Sequence, residues 1–520
     1  MDRVMKQLFI FIAALIFCLD NLKAQRTDSI VGDLLNKNEM LELYRRYPVL
    51  RKEVHPFLRS MSETLLANSL NKPGETCLAV QSLIQNYQNM MEFQTVVSMI
   101  YLWANNLQQS GKYQEAIDLL DGFLKQIPAK HAKEVAPLFE TTIRYCNILK
   151  KYPQSTIYRS TKEDCTLQFK KSLVFDSGAL ISIPTILNNT TEEFIFDTGA
   201  EGNAVSEDFA QKHKIKVIGD SIVTIGATTM YSKLGLIDSL TIGSIVYKNI
   251  PVNILPPSPD DKIFKTNAIL GLPFLKAVKE VRIRPDEELM IIPYLQTLEP
   301  KSGPNLVLSN NQLCIEVSAK GRNCLLNFDT GSISSYFNNK YYNMNTEFIQ
   351  TFGKKGKRLA GGFGMLDSVA TYRIPINKVE IGGTAFDNLE MEVRLYDNLI
   401  DQQSMTVGTL GSDLLLKCKE VIINVDKMFM ILPNTKISMG IPTNEYVKIP
   451  PLTSFEYAIV NIDQNLSRLP PSPSLPLKEP TLFLRLNKKW GNIQKMNYTF
   501  DMNTMKWQSY YSNTMVRMGK

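Results

Sequence analysis

The chain has 520 residues, 44% hydrophobic and 21% charged, which is too long for one ordinary domain and has the composition of a globular rather than a fibrous or disordered protein. Its net charge of +7 is spread along the chain instead of gathering into a basic arm, which argues against nucleic acid as a partner. The three histidines (His55, His131, His213) lie far apart and the seven cysteines form no Cys-x-x-Cys pair, so a zinc site, a Ser-His-Asp relay and a thioredoxin-type motif are all disfavoured, and no metal or organic cofactor is expected.

Residues 1–24 read as a signal peptide: Arg3 and Lys6 precede an apolar run from Leu8 to Leu19, and Ala24 is the small residue at the expected cut. The run is short for a bilayer span. Bulky Phe17 disfavours a lipoprotein signal through Cys18. The expectation is an exported, periplasmic or secreted chain starting at Gln25, with no membrane span in its mature part.

Residues 25–157 are expected to be a helical domain, because apolar positions such as Ala116, Ile117, Leu120 and Leu124 recur at helical spacing. A Gly-x-x-x-x-Ala spacing occurs at Gly74–Ala79 and again at Gly111–Ala116, offset by 111 − 74 = 37 residues. The second copy resembles a tetratricopeptide-repeat helix. An irregular bundle is the alternative, and either would serve packing or contact with a protein partner.

After Tyr158 the pattern changes to short β-branched and aromatic runs broken by Gly, Asn and Pro, the signature of an all-β region. That region contains an internal repeat. In its first copy a strand from Ile181 turns at Asn188-Asn189 and returns as Phe194-Ile-Phe-Asp197-Thr198-Gly199-Ala200. In its second a strand from Cys314 turns at Lys320-Gly321 and returns as Leu325-Leu-Asn-Phe-Asp329-Thr330-Gly331-Ser332. Each continues to a glycine-bearing hairpin tip, Ile225-Gly226-Ala227 and Ala360-Gly361-Gly362-Phe363-Gly364, and then to an apolar strand ending in Gly271 or Gly411. The copies are assigned to residues 158–300 and 301–433. Cys314 and Cys324 flank the second hairpin, and a disulfide between them or reduced, buried thiols are both compatible with the sequence. Residues 434–520 form a C-terminal extension with a proline-rich stretch at 469–476 and strand-like residues from Thr481, to which the sequence assigns no function.

Two Asp-Thr-Gly triplets in matching contexts resemble the aspartic peptidases, of the retropepsin-like kind found in exported bacterial proteins, over roughly residues 165 to 433. The resemblance implies a helical module followed by two related β lobes forming a bilobal barrel pair, and hydrolysis of peptide bonds in a peptide or protein substrate. Asp197 and Asp329 would be the catalytic pair, because two crowded carboxylates share one proton and so supply a base for water and an acid for the substrate carbonyl. Gly199 and Gly331 would let the turns approach, Thr198 and Thr330 would bond across the interface, and the strands ending at Gly271 and Gly411 would support each turn. Ser332, where the first copy has Ala200, is expected to donate its hydroxyl to Asp329 and favour its charged form, making Asp329 the base.

Ile225, Gly226, Gly361, Gly362 and Phe363 would belong to two mobile flaps, although Ile225 stands where the pepsin pattern has tyrosine. That departure keeps an alternative open, a retropepsin-like fold that binds peptides or partners without cutting them. Asp176-Ser177-Gly178 is read as a turn, since it precedes the first hairpin. The run Lys354-Lys-Gly-Lys-Arg358 would attract acidic substrates or, more ordinarily, form a solvated loop.

Overall fold

The computed structural model describes residues 26–174, 178–225, 229–257, 267–319, 322–362, 365–396, 405–433, 435, 437–438, 481–487, 492–501 and 506–514. The expected signal peptide, the Asp176-Ser177 pair, the Lys320-Gly321 turn and the proline-rich stretch lie outside them. The chain divides into two compact units, one of residues 1–136 with 454–520 and the other of residues 137–453.

The first unit begins as successive helices: α1 (26–36), α2 (Met40–Leu50), α3 (Pro56–Ser69), α4 (Pro73–Tyr87), α5 (Phe93–Gln109) and α6 (Tyr113–Gln126), with α7 (Ala129–Leu149) running across the division. Helix α3 packs on α4, α4 on α5 and α5 on α6. The repeat within them differs from the spacing expected. Asn71 (φ 56°) and Gly111 (φ 71°) are the left-handed residues that end α3 and α5. Behind them the N–H of Lys72 reaches Ala67 O, and that of Lys112 reaches Leu107 O. The matching turns therefore lie 111 − 71 = 40 residues apart, and the residue equivalent to Ala116 is Thr76, both fully buried, rather than Ala79. An αL cap accepts Asn as well as Gly, so the glycine spacing points to Gly74, inside α4, and misses Asn71.

The second unit is built from strands β1 (Thr156–Arg159), β2 (Cys165–Gln168), β3 (Lys170–Val174), β4 (Gly178–Leu187), β5 (Thr190–Phe196), β6 (Ala204–Ser206), β7 (Lys216–Ile225), β8 (Thr229–Ile242), β9 (Ile245–Leu255), β10 (Ala268–Leu270), β11 (Glu280–Arg284) and β12 (Leu289–Ile292). There follow β13 (Leu306–Ser309), β14 (Gln312–Ala319), β15 (Arg322–Phe328), β16 (Tyr336–Phe337), β17 (Lys354–Gly362), β18 (Met365–Ile381), β19 (Thr384–Arg394), β20 (Gly408–Leu410), β21 (Val421–Asn424), β22 (Phe429–Ile431) and β23 (Ile437–Ser438). A separate three-stranded sheet of the first unit holds β24 (Thr481–Asn487), β25 (Asn492–Asp501) and β26 (Lys506–Thr514).

Two nine-stranded sheets repeat one topology. The first runs β1-β9-β6-β10-β5-β4-β8-β7 with β3 on β4, and a β8–β9 pairing closes six of its strands into a ring. The second runs β13-β14-β15-β20-β16-β19-β18-β17 with β23 on β19, and β14–β18 closes the equivalent six. In each, the Asp-Thr-Gly strand is paired in parallel with the short apolar strand that follows much later: Ile195 faces Ile269, and Asn327 faces Thr409. A five-stranded sheet, β2-β12-β11-β21-β22, joins the closing strands of both halves.

Local chemistry explains the hairpins. Asn188 and Asn189 (φ 50° and 62°) turn β4 into β5, and Asn310 and Asn311 (φ 52° and 61°) turn β13 into β14, with paired left-handed residues matching strand twist. Phe196 and Phe328, one residue before each aspartate, point into fully buried cores. Alternation then sends each aspartate to the opposite face.

Candidate active site

The two Asp-Thr-Gly turns meet. The Thr198 N–H donates to Thr330 Oγ1 (3.0 Å), whose hydroxyl donates to Phe196 O (2.7 Å). Reciprocally, the Thr330 N–H donates to Thr198 Oγ1 (3.0 Å), whose hydroxyl donates to Phe328 O (2.8 Å). Both threonines are buried, so these four bonds form out of reach of competing water.

Within each turn a carboxylate oxygen collects two backbone donors. Asp197 Oδ1 accepts from Gly199 (2.9 Å) and Ala200 (3.0 Å), and Asp329 Oδ1 from Gly331 (2.8 Å) and Ser332 (3.2 Å). The glycines are required by closeness: a Cβ on Gly199 would collide with the Asp329 carboxyl, and one on Gly331 with that of Asp197. Each aspartate is half-buried.

Burial pushes both carboxyls above the ordinary carboxylate range. Asp329 is raised well above 3.8, by burial first and then by the negative charge of Asp197. Asp197 is raised by burial but held back by a hydrogen bond from Asp329 and by the N–H groups of Gly199, Ala200 and Gly331. The two carboxyls are coupled, so they titrate as one unit.

The hydrogen bond expected of the Ser332 hydroxyl is made elsewhere. Its hydroxyl donates to Ser334 O (2.9 Å), and only its backbone N–H reaches Asp329. A hydroxyl one residue past the glycine lies closer to the following loop than to the carboxyl, and the carbonyl there is the nearer acceptor.

The strands ending before Gly271 and Gly411 hydrogen-bond to the turns. The Asp197 N–H donates to Leu270 O and the Asp329 N–H to Leu410 O, both at 3.0 Å. Beyond them Leu272 N–H reaches Ala200 O and Ser412 N–H reaches Ser332 O, both at 2.8 Å. A side chain on Gly411 would come within 2.7 Å of Ser332 O, and one on Gly271 would strike the carbonyls of Ala200 and Gly202. Of the residues expected in flaps, Ile225 ends β7, and Gly361 and Gly362 end β17; Gly226 and Phe363 lie outside the described residues.

Several supporting residues were missed in the sequence. Asn203 accepts the Gly271 N–H through Oδ1 (3.1 Å), and Ser335 accepts the Gly411 N–H through Oγ (2.9 Å). The Ser335 hydroxyl in turn donates to Asp413 (2.7 Å). A signal existed, since both stand six residues after their aspartate (203 − 197 and 335 − 329). Cys314 and Cys324 are free thiols: Cys314 faces Asn327 and Cys324 faces Val317, so the two are not opposite one another.

Two mutually bonded Asp-Thr-Gly turns on matching sheets are similar to the arrangement of the retropepsin-like aspartic peptidases. Residues 183–277, which include the first turn, match the family model described as gag-polyprotein putative aspartyl protease. A crystal structure of a retropepsin-like aspartic protease from Rickettsia conorii is 22% identical, covering 27% of this chain and 94% of that one, with a TM-score of 0.18. At that score the likeness lends no weight to fold or activity here. No curated protein matches.

Proposed function

We propose that the chain is an exported aspartic endopeptidase whose two β lobes, each a closed barrel, contribute Asp197 and Asp329 to one site. What supports this most is the reciprocal Thr198–Thr330 bonding, which brings two carboxyls so close that only glycine fits between each and the opposite turn. A structural role alone gives no reason to bury two acids against one another.

Asp197, the charged member, takes a proton from a water held between the carboxyls, and the resulting nucleophile adds to the peptide carbonyl carbon. Asp329 gives its proton to the carbonyl oxygen. Collapse of the tetrahedral intermediate returns that proton to Asp329, and the proton on Asp197 goes to the leaving nitrogen. The hairpins β7–β8 and β17–β18 would act as flaps over an extended substrate. The helical module would present or recruit the substrate protein; deletion of residues 35–155 should then lower cleavage of a protein substrate but not of a short peptide. Purified chain incubated with a mixed peptide library from acidic to neutral pH should release new termini, and Asp197→Asn should not.

A further inference from the structure

The two aspartates stand 132 residues apart (329 − 197), and the same offset relates the residues around each turn. Beside Asp197, Leu180 and Ile195 form an apolar cluster with Ile269 and with Ile333, which comes from the loop after the Asp329 turn. The register accounts for the first three. Ile195 precedes Asp197 by two residues on β5 and so shares its face, and Ile269 faces Ile195 on β10. Ser182 faces Ile195 on β4, which puts Leu180, two residues earlier, level with Asp197. Backbone contacts hold the second lobe against this wall: a Cβ on Gly178 would strike Ile333 O, and the Ser412 hydroxyl donates to Ala179 O (2.7 Å). Leu180 and Ile195 are buried, whereas Ile269 and Ile333 are half-buried and leave apolar surface open. Ser182, on the same face, is buried and bonded to Ser172 Oγ (2.6 Å).

Beside Asp329 each of these positions is polar. Leu180 is matched by Gln312 and Ile195 by Asn327 at the common offset, and Ile269 by Thr409, which faces Asn327. Ile333 is matched by Glu201, each four residues past its aspartate (333 − 329 and 201 − 197). Asn327 and Thr409 are buried, Gln312 is half-buried and Glu201 is exposed. Asn327 Oδ1 accepts from Cys314 Sγ (3.6 Å). One strand further on, Ala204 is matched by Tyr336, with Arg394 3.6 Å from its ring centre. Half-open isoleucines gain when hydrocarbon covers them, while hydrocarbon laid over an amide, a hydroxyl or a carboxylate takes water from it and returns no hydrogen bond. In an extended peptide the side chains on the two sides of a bond point in opposite directions, so they meet different walls.

We infer that the two side-chain sites flanking the cleavable bond differ in kind: the wall of Ile195, Ile269 and Ile333 takes a large apolar side chain, and its counterpart of Asn327, Thr409 and Glu201 takes a polar one that hydrogen-bonds. The assignment rests on the peptidase reading for its substrate class.

The test uses four peptides that differ only in the two residues of the cleavable bond, each Leu or Gln. Binding to the Asp197→Asn chain is measured by fluorescence anisotropy, and kcat/KM with the chain that keeps both aspartates. One of the two mixed peptides should exceed both the all-Leu and the all-Gln peptide by about tenfold. Ile269→Thr, which gives the apolar wall the residue of its counterpart, should cut the Leu-over-Gln ratio at the apolar position about fivefold and leave the ratio at the other position unchanged. Thr409→Ile should raise the Leu-over-Gln ratio at that other position. Damage to the fold alone would lower all four peptides together. A uniform peptide that ranks first, four peptides that behave alike, or ratios that neither variant moves would overturn the inference. Selective binding that follows both variants without cleavage would instead sink the peptidase reading and leave this one standing; cleavage of all four peptides alike would do the reverse.

Discussion

The aspartate pair concentrates the chemistry in a few atoms, and its consequences are measurable at single residues. Asp197→Asn or Asp329→Asn removes the base or the acid and should lower kcat/KM by at least about 10³-fold, the scale of lost general acid–base catalysis. Crowding also has a cost to stability. The folded Asp329 carboxyl holds its proton to a higher pH than the unfolded one, so the native state binds more protons and stability declines as pH rises through its folded value. Urea titrations should therefore show Asp329→Asn to be more stable than wild type near neutral pH, with the gap closing below the ordinary carboxylate range near 3.8. Ser332→Ala should leave the acidic limb of the pH–rate profile where it is, because the hydroxyl engages Ser334 O. An upward move of that limb would restore the role the sequence suggested.

At the scale of elements, the turn-to-turn contact depends on two hydroxyls that each bridge to the opposite strand. Thr198→Val keeps the shape but strands the buried Thr330 N–H and Phe328 carbonyl, a loss of about 2–4 kcal/mol for two unsatisfied groups. Thr198→Ser should recover most of it, as read by chemical denaturation. The sequence displayed these elements unevenly. The Asp-Thr-Gly turns, their hairpins and the strands ending at Gly271 and Gly411 were legible because each has a short local signature. Asn203 and Ser335 were not, since an amide and a hydroxyl look like ordinary loop residues until two carboxylate turns are laid over one another. Lys354–Arg358 resembled a loop because its charges hide the strand alternation, and only the register with β18 shows which side chains share a face. The helical repeat was visible but misplaced by three residues, since Asn71 does the work that Gly111 does in the later copy.

Across the second unit, the five-stranded sheet ties the two halves through β11 and β21, where Glu280 faces Asn424. Glu280 is fully buried and accepts from Arg282 Nε (2.9 Å), Thr297 N–H (2.8 Å), Thr297 Oγ1 (2.7 Å) and Asn424 Nδ2 (2.7 Å). None of the repeat patterns pointed to it, because its partners lie near the ends of the two copies, Arg282 and Thr297 in the first and Asn424 in the second. Glu280→Ala would leave those donors unpaired and should cost about 3–5 kcal/mol, the range for breaking a buried charged pair. Because that sheet holds neither aspartate strand, the variant's loss of activity should track its fraction unfolded rather than exceed it.

The central claim is that one proton shared between Asp197 and Asp329 drives peptide hydrolysis. The most direct measurement is the pH dependence of cleavage of a quenched-fluorescent peptide library by the wild-type chain beside Asp197→Asn and Asp329→Asn, all shown to be folded. A bell-shaped profile for the wild type, abolished in both variants, is the predicted result. Cleavage that persists in either folded variant, or a folded wild-type chain that cuts nothing across the range, would contradict it.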